Sequence, residues 1–320
     1  MWEVNNRLSE AYHALLEPSP PQPLLRHIER QVASCSVIDN KQKLKQNYSI
    51  YMSAIMSAMC ASSCDTLALK HPHERDARIS FEEGPHIYTI DGDSNYMSVT
   101  TWNHKHFEQF DADAIITKMM SGVNWTRSKY HGMTREEIKA KWEANRDEAA
   151  TAGTALHYDI ECYYNGMDVE NESVEYAYFR EFVSVNKELV PYRTEWMVWD
   201  AELRFAGSID MVFVNECDGT LLIYDWKRSK EIRKTSPWSK FSHTECVSHL
   251  PDTNFWHYSL QLNTYKALLE KNYGKTVSGM ALVCLHPDQS NYKVLAVPDL
   301  QQEVRDLFEL RKAQLEEVTK

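Results

Sequence analysis

At 320 residues, with 43% hydrophobic and 25% charged residues, the chain can bury one large core or a catalytic domain with an appended piece. A formal net charge of −11 argues against a general polyanion binder acting through bulk charge, although an acidic cleft neutralised by its own ions remains compatible with it. Seven Cys form no paired framework, the start lacks a secretory pattern, and no run approaches the roughly 18 apolar residues that span a bilayer. The expectation is a soluble intracellular protein in a reducing compartment, the cytoplasm or nucleus of a cell or infected host, with no membrane partner. The nine Trp and 17 Tyr are numerous enough that some are expected on a surface contacting something flat.

Residues 1–75 read as helical: Leu8, Ala11 and Leu15 share a stripe, PSPPQP breaks the chain, and the period resumes at Leu24, Ile28 and Val32 and again from Leu44 to Met59. This Met-rich, aromatic face is available either to the main domain or to a protein partner. Residues 64–80 read as a connection, which places a boundary near 75. From His86, HIYTID and YMSVTT suggest a hairpin before a helix around 105–122. Thr134-Arg-Glu-Glu137 is a capping box that opens a helix through about Ala150, and a second helix is expected over 154–165. Another near 172–189 would carry Val174, Tyr178, Phe179 and Phe182 inward. Strands are predicted at 193–200, 203–214 and 220–227, with a turn at Asp218-Gly219. A helix at about 256–272, strands near 277–286 and 291–297 and a closing helix from about 299 complete the chain. Helix, three-strand meander and helix make residues 76–320 an α/β domain with a mixed central sheet.

Phosphodiester hydrolysis needs a metal to activate water and groups that neutralise charge on the phosphate. Hard divalent cations take oxygen ligands, mainly carboxylates. The strand ending in GSID carries Asp210, and the next, ending in LLIYDWK, carries Asp225 and Lys227. Residues two apart on a strand share a face, so Asp225 and Lys227 point into one space, and Asp210 on the neighbouring strand can reach the same cation. The Trp226 carbonyl between them is an additional candidate ligand. Alone, a DxK is an ordinary strand end with an ion pair. His157 and Glu161 in GTALHYDIE, and Gln261 and Tyr265 in QLNTY, each show the i,i+4 relation of one helix face. After the second strand, Lys227, Arg228, Lys230, Arg233, Lys234 and Lys240 stand against the single acid Glu231, a segment suited either to solvent or to a DNA backbone.

In order, GTALH (153–157), GSID (207–210), YDWK (224–227) and QLNTY (261–265) resemble the motifs of the RecB-type branch of the PD-(D/E)XK nuclease superfamily, which includes AddB-like nucleases and the mitochondrial genome maintenance exonuclease. The resemblance covers roughly residues 80–300. It implies a restriction-endonuclease-like core with a mixed sheet flanked by helices, and Mg²⁺ or Mn²⁺ held by His157, Asp210, Asp225 and the Trp226 carbonyl. It further implies Lys227 as the residue that orients water and offsets developing charge, with Gln261 and Tyr265 steadying the site and the DNA backbone. Glu195 in RTEW occupies a place where such enzymes carry an acidic residue near the cleft, and Glu161 is a further candidate there. Some relatives hold an iron–sulfur cluster through three Cys after QxxxY. Only Cys284 follows Tyr265 here, so no cluster is expected. His243, Cys246 and His249, with His257 nearby, have zinc-like spacing but no clear fourth ligand, and zinc is not expected.

The resemblance implies exonuclease action on DNA ends or single strands. The alternatives are a structure-specific endonuclease, an RNA-directed nuclease, or a catalytically silent nucleic-acid-binding module. No GxxxxGK[ST] phosphate loop occurs, so unwinding would fall to a partner or the substrate would already be single-stranded.

Overall fold

The structure is a computed structural model that describes residues 66–236 and 238–318. Most of the expected N-terminal helical region, and its docking face, lie outside the described residues. The remainder belongs to one compact unit beginning at Leu67. Its elements are α1 (Leu67–Lys70), β1 (Ile79–Glu82), β2 (Ile87–Ile90), β3 (Met97–Ser98), α2 (Val99–His104), α3 (Ala112–Met120), α4 (Arg135–Tyr164) and α5 (Val174–Val185). They continue with β4 (Val190–Asp200), β5 (Phe205–Val214), β6 (Leu221–Lys227), α6 (Asn254–Asn272), β7 (Val277–Cys284), β8 (Lys293–Ala296) and α7 (Gln301–Val318). No helix among the described residues is long and apolar enough to cross a membrane.

The six-stranded sheet is mixed. β4, β5 and β6 form an antiparallel meander, β7 joins β6 in parallel after the α6 crossover, and β8 closes the edge antiparallel to β7. The β5–β6 turn is the expected one, with Gly219 at φ 73° and Asp218 Oδ1 accepting from the Thr220 N–H. β4 covers one edge of β5 from Phe205 to Val214. On the other edge β3 pairs only with Phe205 and Ala206, and β6 only with Met211 to Val214. Residues 207–210, the GSID segment, therefore face a gap between two neighbouring strands.

Helices cover both faces. α2, α6 and α7 bring Trp102, Leu262, Leu268 and Val304 onto Phe205, Val212 and Ile223. α4 and α5 bring Leu156, Ile160, Phe179 and Phe182 onto Met211, Phe213 and Trp226. Burying two such faces is the main driving force for the layered arrangement.

Several local expectations are corrected. The partner of β2 is the preceding ISFE strand, whereas YMSVTT supplies only the two-residue β3 before Ser98 caps α2 by accepting from the Thr101 N–H. The single helix expected at 105–122 is replaced by α2 and α3, the latter capped by Asp111. The capping box forms as expected, but α4 runs unbroken through Gly153 for 30 residues. A helical Gly costs about 1 kcal/mol, too little to end a helix capped at Thr134 and anchored by buried Leu156 and Ile160. Val174, first residue after the Ser173 cap, is exposed, and Glu175 and Tyr176 take the inward positions beside Phe179 and Phe182.

Candidate active site

Three carboxylates lie in one row across the meander. The pairs Thr194↔Met211 and Trp196↔Ile209 bracket Glu195 against Asp210. The pair Met211↔Tyr224, continued by one step, sets Asp210 against Asp225. Directly opposed residues sit about 5 Å apart at Cβ, where like charges repel. Past Met211 the β5–β6 ladder stops, and the Trp226 N–H donates instead to Asp210 Oδ2 at 3.0 Å. The Lys227 carbonyl accepts from the Leu285 N–H on the β7 side. Successive carbonyls alternate in direction along a strand, so that of Trp226 turns toward the gap and Asp210.

The inside–outside alternation of β5 slips here. Ile209 packs in the α6-side core and Met211 in the α4-side core, although residues two apart ordinarily share a face. Opposite Asp210, Glu195 has φ 41°, a left-handed value that costs a non-glycine residue on the order of 1 kcal/mol. Irregularities of this kind re-aim side chains, and in this case they turn Glu195 and Asp210 toward α4. One donor atom each from His157, Glu195 and Asp210 lie within 4.8 Å of one another. His157 Nδ1 is 3.4 Å from Asp210 Oδ2. No other group of three or more His, Cys, Asp or Glu among the described residues is disposed to share an ion.

Asp225 and Lys227 do share a space, with Nζ 2.5 Å from Asp225 Oδ2. The ammonium also lies 4.7 Å from the centroid of the Tyr258 ring, which α6 supplies. Burial opposes the charge on Lys227, but Asp225 and Asp210 outweigh it and hold the amine above its ordinary pKa. Burial, reinforced by Asp210, raises Asp225 to about 6 against the pull of Lys227. Burial and then Asp210 push Glu195 up to about 8, while the Ser208 hydroxyl, donating to Glu195 Oε2 at 2.7 Å, opposes the rise. Asp210 is raised by burial and restrained by Lys227 and the Trp226 N–H. His157 is lowered by burial, then by Lys227, to about 4, so it is neutral and ready to donate a lone pair at neutral pH. A neutral imidazole beside crowded, reluctant carboxylates suits a hard divalent cation, which would relieve their repulsion.

The other predicted residues divide. Glu161, one turn beyond His157, is raised by burial and acts electrostatically on Glu195. Tyr265 is buried beneath β5, where the Gln261 amide donates to its hydroxyl at 3.4 Å. A Cβ on Gly207 would stand 2.8 Å from Tyr265 Cε1 and hydroxyl, so the Gly of GSID is what admits this ring. Arg228 is committed to Glu175 at 2.7 Å, whereas Lys230, Arg233 and Lys234 are exposed and contact Asp288, Glu231 and the Phe255 ring respectively. The zinc-like residues diverge, with His249 paired to Glu303 and His257 to Asp252. Sequence reasoning missed Ser208 and Tyr258. Tyr258 precedes Gln261 by three residues and Tyr265 by seven, a helical stripe that could have revealed it.

The sequence model of the PD-(D/E)XK nuclease superfamily matches residues 101–320, a span containing every residue of this site. The chain belongs to that superfamily. It is accordingly a nuclease with the restriction-endonuclease-like fold, and nucleases of the superfamily act on nucleic acid with divalent metals. Solved structures similar to it include that of SSO0001, at 12% identity and TM-score 0.28, covering 70% of this chain and 77% of that one. Another is an exonuclease-named protein from Eubacterium rectale, at 9% identity and TM-score 0.24, covering 49% and 71%. Among curated proteins none matches.

Proposed function

We propose that this PD-(D/E)XK nuclease hydrolyses DNA with Mg²⁺ or Mn²⁺, acting from ends or on single strands as RecB-type exonucleases do. The observation that carries the reading is the convergence of His157, Glu195 and Asp210 within 4.8 Å, beside the Asp225–Lys227 pair. Asp210, Glu195 and His157 would hold the cation, with Asp225 and the Trp226 carbonyl adjoining. When bound, it supplies Lewis-acid polarisation of the phosphate and lowers the pKa of water.

The chain's own residues do the rest. Lys227 presents a fixed positive charge where negative charge gathers on the phosphate, and its N–H groups orient the attacking water. Asp225 and the Tyr258 face keep that ammonium in place. The Trp226 N–H fixes the carboxylate plane of Asp210, and the Ser208 hydroxyl fixes that of Glu195. Gln261 and Tyr265 brace β5 from below.

The test follows end-labelled linear and circular DNA, single- and double-stranded, with Mg²⁺, Mn²⁺ or EDTA, beside Lys227→Ala and Asp225→Ala. The expected result is metal-dependent loss of linear DNA that both variants abolish, a fall of at least about 100-fold, with circular DNA spared. Cleavage of circles would replace the exonuclease with an endonuclease. Sparing of all DNA under both metals would overturn the proposal.

A further inference from the structure

α4 reaches well beyond the sheet. Its residues 143–151 are exposed on every side, so the helix there spans solvent without packing. Its first turns instead join α3 and the loop 121–133 in a small separate cluster around buried Ile116 and Ile138. Arg135 donates to Thr117, Lys139 pairs with Asp113 at 2.6 Å, and the Trp142 indole donates to the Tyr130 hydroxyl at 2.8 Å. A cleft of about 500 Å³ opens on this cluster, lined by Phe110, Asp113, Lys139, Trp142, Glu143 and Arg146.

The surface of this arm is aromatic and basic together. Phe110 is 71% exposed and meets the Trp142 ring edge-on at 5.8 Å. Trp238, 76% exposed on the segment that leaves β6 after Lys227, stands 6.0 Å from the Lys118 ammonium of α3. Across the arm, from Phe110 to Arg146, seven basic residues (Lys118, Arg127, Lys129, Arg135, Lys139, Lys141, Arg146) stand against five acidic ones (Asp111, Asp113, Glu136, Glu137, Glu143), a local basic excess in a chain of net charge −11. Cores of protein–protein interfaces are depleted in Lys, whereas flat rings interleaved with cations are what single-stranded nucleic acid requires.

We infer that Phe110, Trp142 and Trp238, with the surrounding Lys and Arg, form a docking platform on which single-stranded DNA stacks as it enters or leaves the active site. This rests on the nuclease reading above. α4 links the two places: Trp142 precedes His157 by 15 residues, about 22 Å along a helix. At 3.4 Å per stacked nucleotide that is a strand of about six nucleotides.

The test uses the full chain carrying Lys227→Ala to stop cleavage, with the anisotropy of fluorescein-labelled oligothymidylates of increasing length as readout. Affinity is expected to rise until the strand spans about six nucleotides beyond the cleavage position, then to level off. Phe110→Ala and Trp238→Ala should each weaken binding of long strands about 10-fold, with melting temperatures unchanged because both rings are exposed. Irradiation of the parent chain with a 5-iodouracil strand should cross-link Phe110, Trp142 or Trp238, independently of whether any variant folds. Parent-like affinity in both variants, or cross-links confined to other segments, would overturn the platform while cleavage by the wild-type chain left the nuclease intact. Loss of self-association in place of DNA binding would overturn it in favour of a protein contact. A wild-type chain that neither cleaves nor binds DNA would remove the underlying reading as well.

Discussion

Gly207→Ala tests how tightly the site is braced. The added Cβ would stand 2.8 Å from both Cε1 and the hydroxyl of Tyr265 and 3.2 Å from Cζ, so ring or strand must move. Tyr265 is 2% exposed within the core shared by α6 and the sheet, which leaves the ring little room. Overpacking of this kind costs about 1–3 kcal/mol. In a unit of about 250 residues, that lowers Tm by about 2–6 °C. Thermal and urea unfolding of the metal-free protein would measure it. Tyr265→Ala by itself opens a cavity and should cost about 3–5 kcal/mol, but in that background Gly207→Ala has nothing to strike. The double variant should therefore be about 1–3 kcal/mol more stable than the sum of the single effects. Strict additivity, or a Gly207→Ala cost under about 0.5 kcal/mol, would refute the close approach as the reason for this glycine.

The remaining predictions concern protons and metal. Glu195, raised from 4.5 to about 8, contributes stability that is complete below 4.5 and lost as pH rises through 8. Above pH 6.5 the lowered pKa of His157 no longer opposes this trend, so the metal-free protein should lose Tm between pH 6.5 and 8.5; a flat or rising Tm would contradict the burial of Glu195. A cation takes the ionised carboxylate, so Mn²⁺ affinity should increase over the same interval with proton release near pH 7, as calorimetry in buffers of different ionisation enthalpy would record. Ser208→Ala removes the hydroxyl that restrains Glu195 and should move the midpoint of that metal-binding profile up by about one pH unit. An unmoved midpoint would mean that Ser208 does not set the acidity of Glu195.

Much of the frame was legible because its signals are local. Period-two runs marked β4, β5 and β6, Asp218-Gly219 marked their turn, and Thr134 and Glu137 marked the start of α4. Errors fell where local signals were weak or a distant partner decided. The four-residue β1 is too short to give a period-two signal of its own, so the mate of β2 is fixed only by the pairing in the folded chain. The sequence predicts two helices on either side of Gly153, yet α4 runs through it because its cost is smaller than the anchoring on either side. In the sequence Arg228 belongs to a basic segment suited to solvent or to a DNA backbone, yet Glu175, 53 residues earlier, claims it.

Within the site, the sequence by itself determined the alternation that puts Asp225 and Lys227 on one face, and the i,i+4 spacings that pair His157 with Glu161 and Gln261 with Tyr265. Those relations follow from the fixed periods of strand and helix wherever the element stays regular, as β6 does from Asp225 to Lys227 and α4 and α6 do through these pairs. Only the tertiary structure decided that Glu195 stands in line with Asp210 and Asp225, that β5 changes face at Asp210, and that Tyr258 lies against Lys227. Each of these depends on strand register, on a gap between β3 and β6, or on packing between elements far apart in the chain. The raised acidities of Glu195 and Asp225 depend on them too, because burial and opposed charges arise only once the layers have closed.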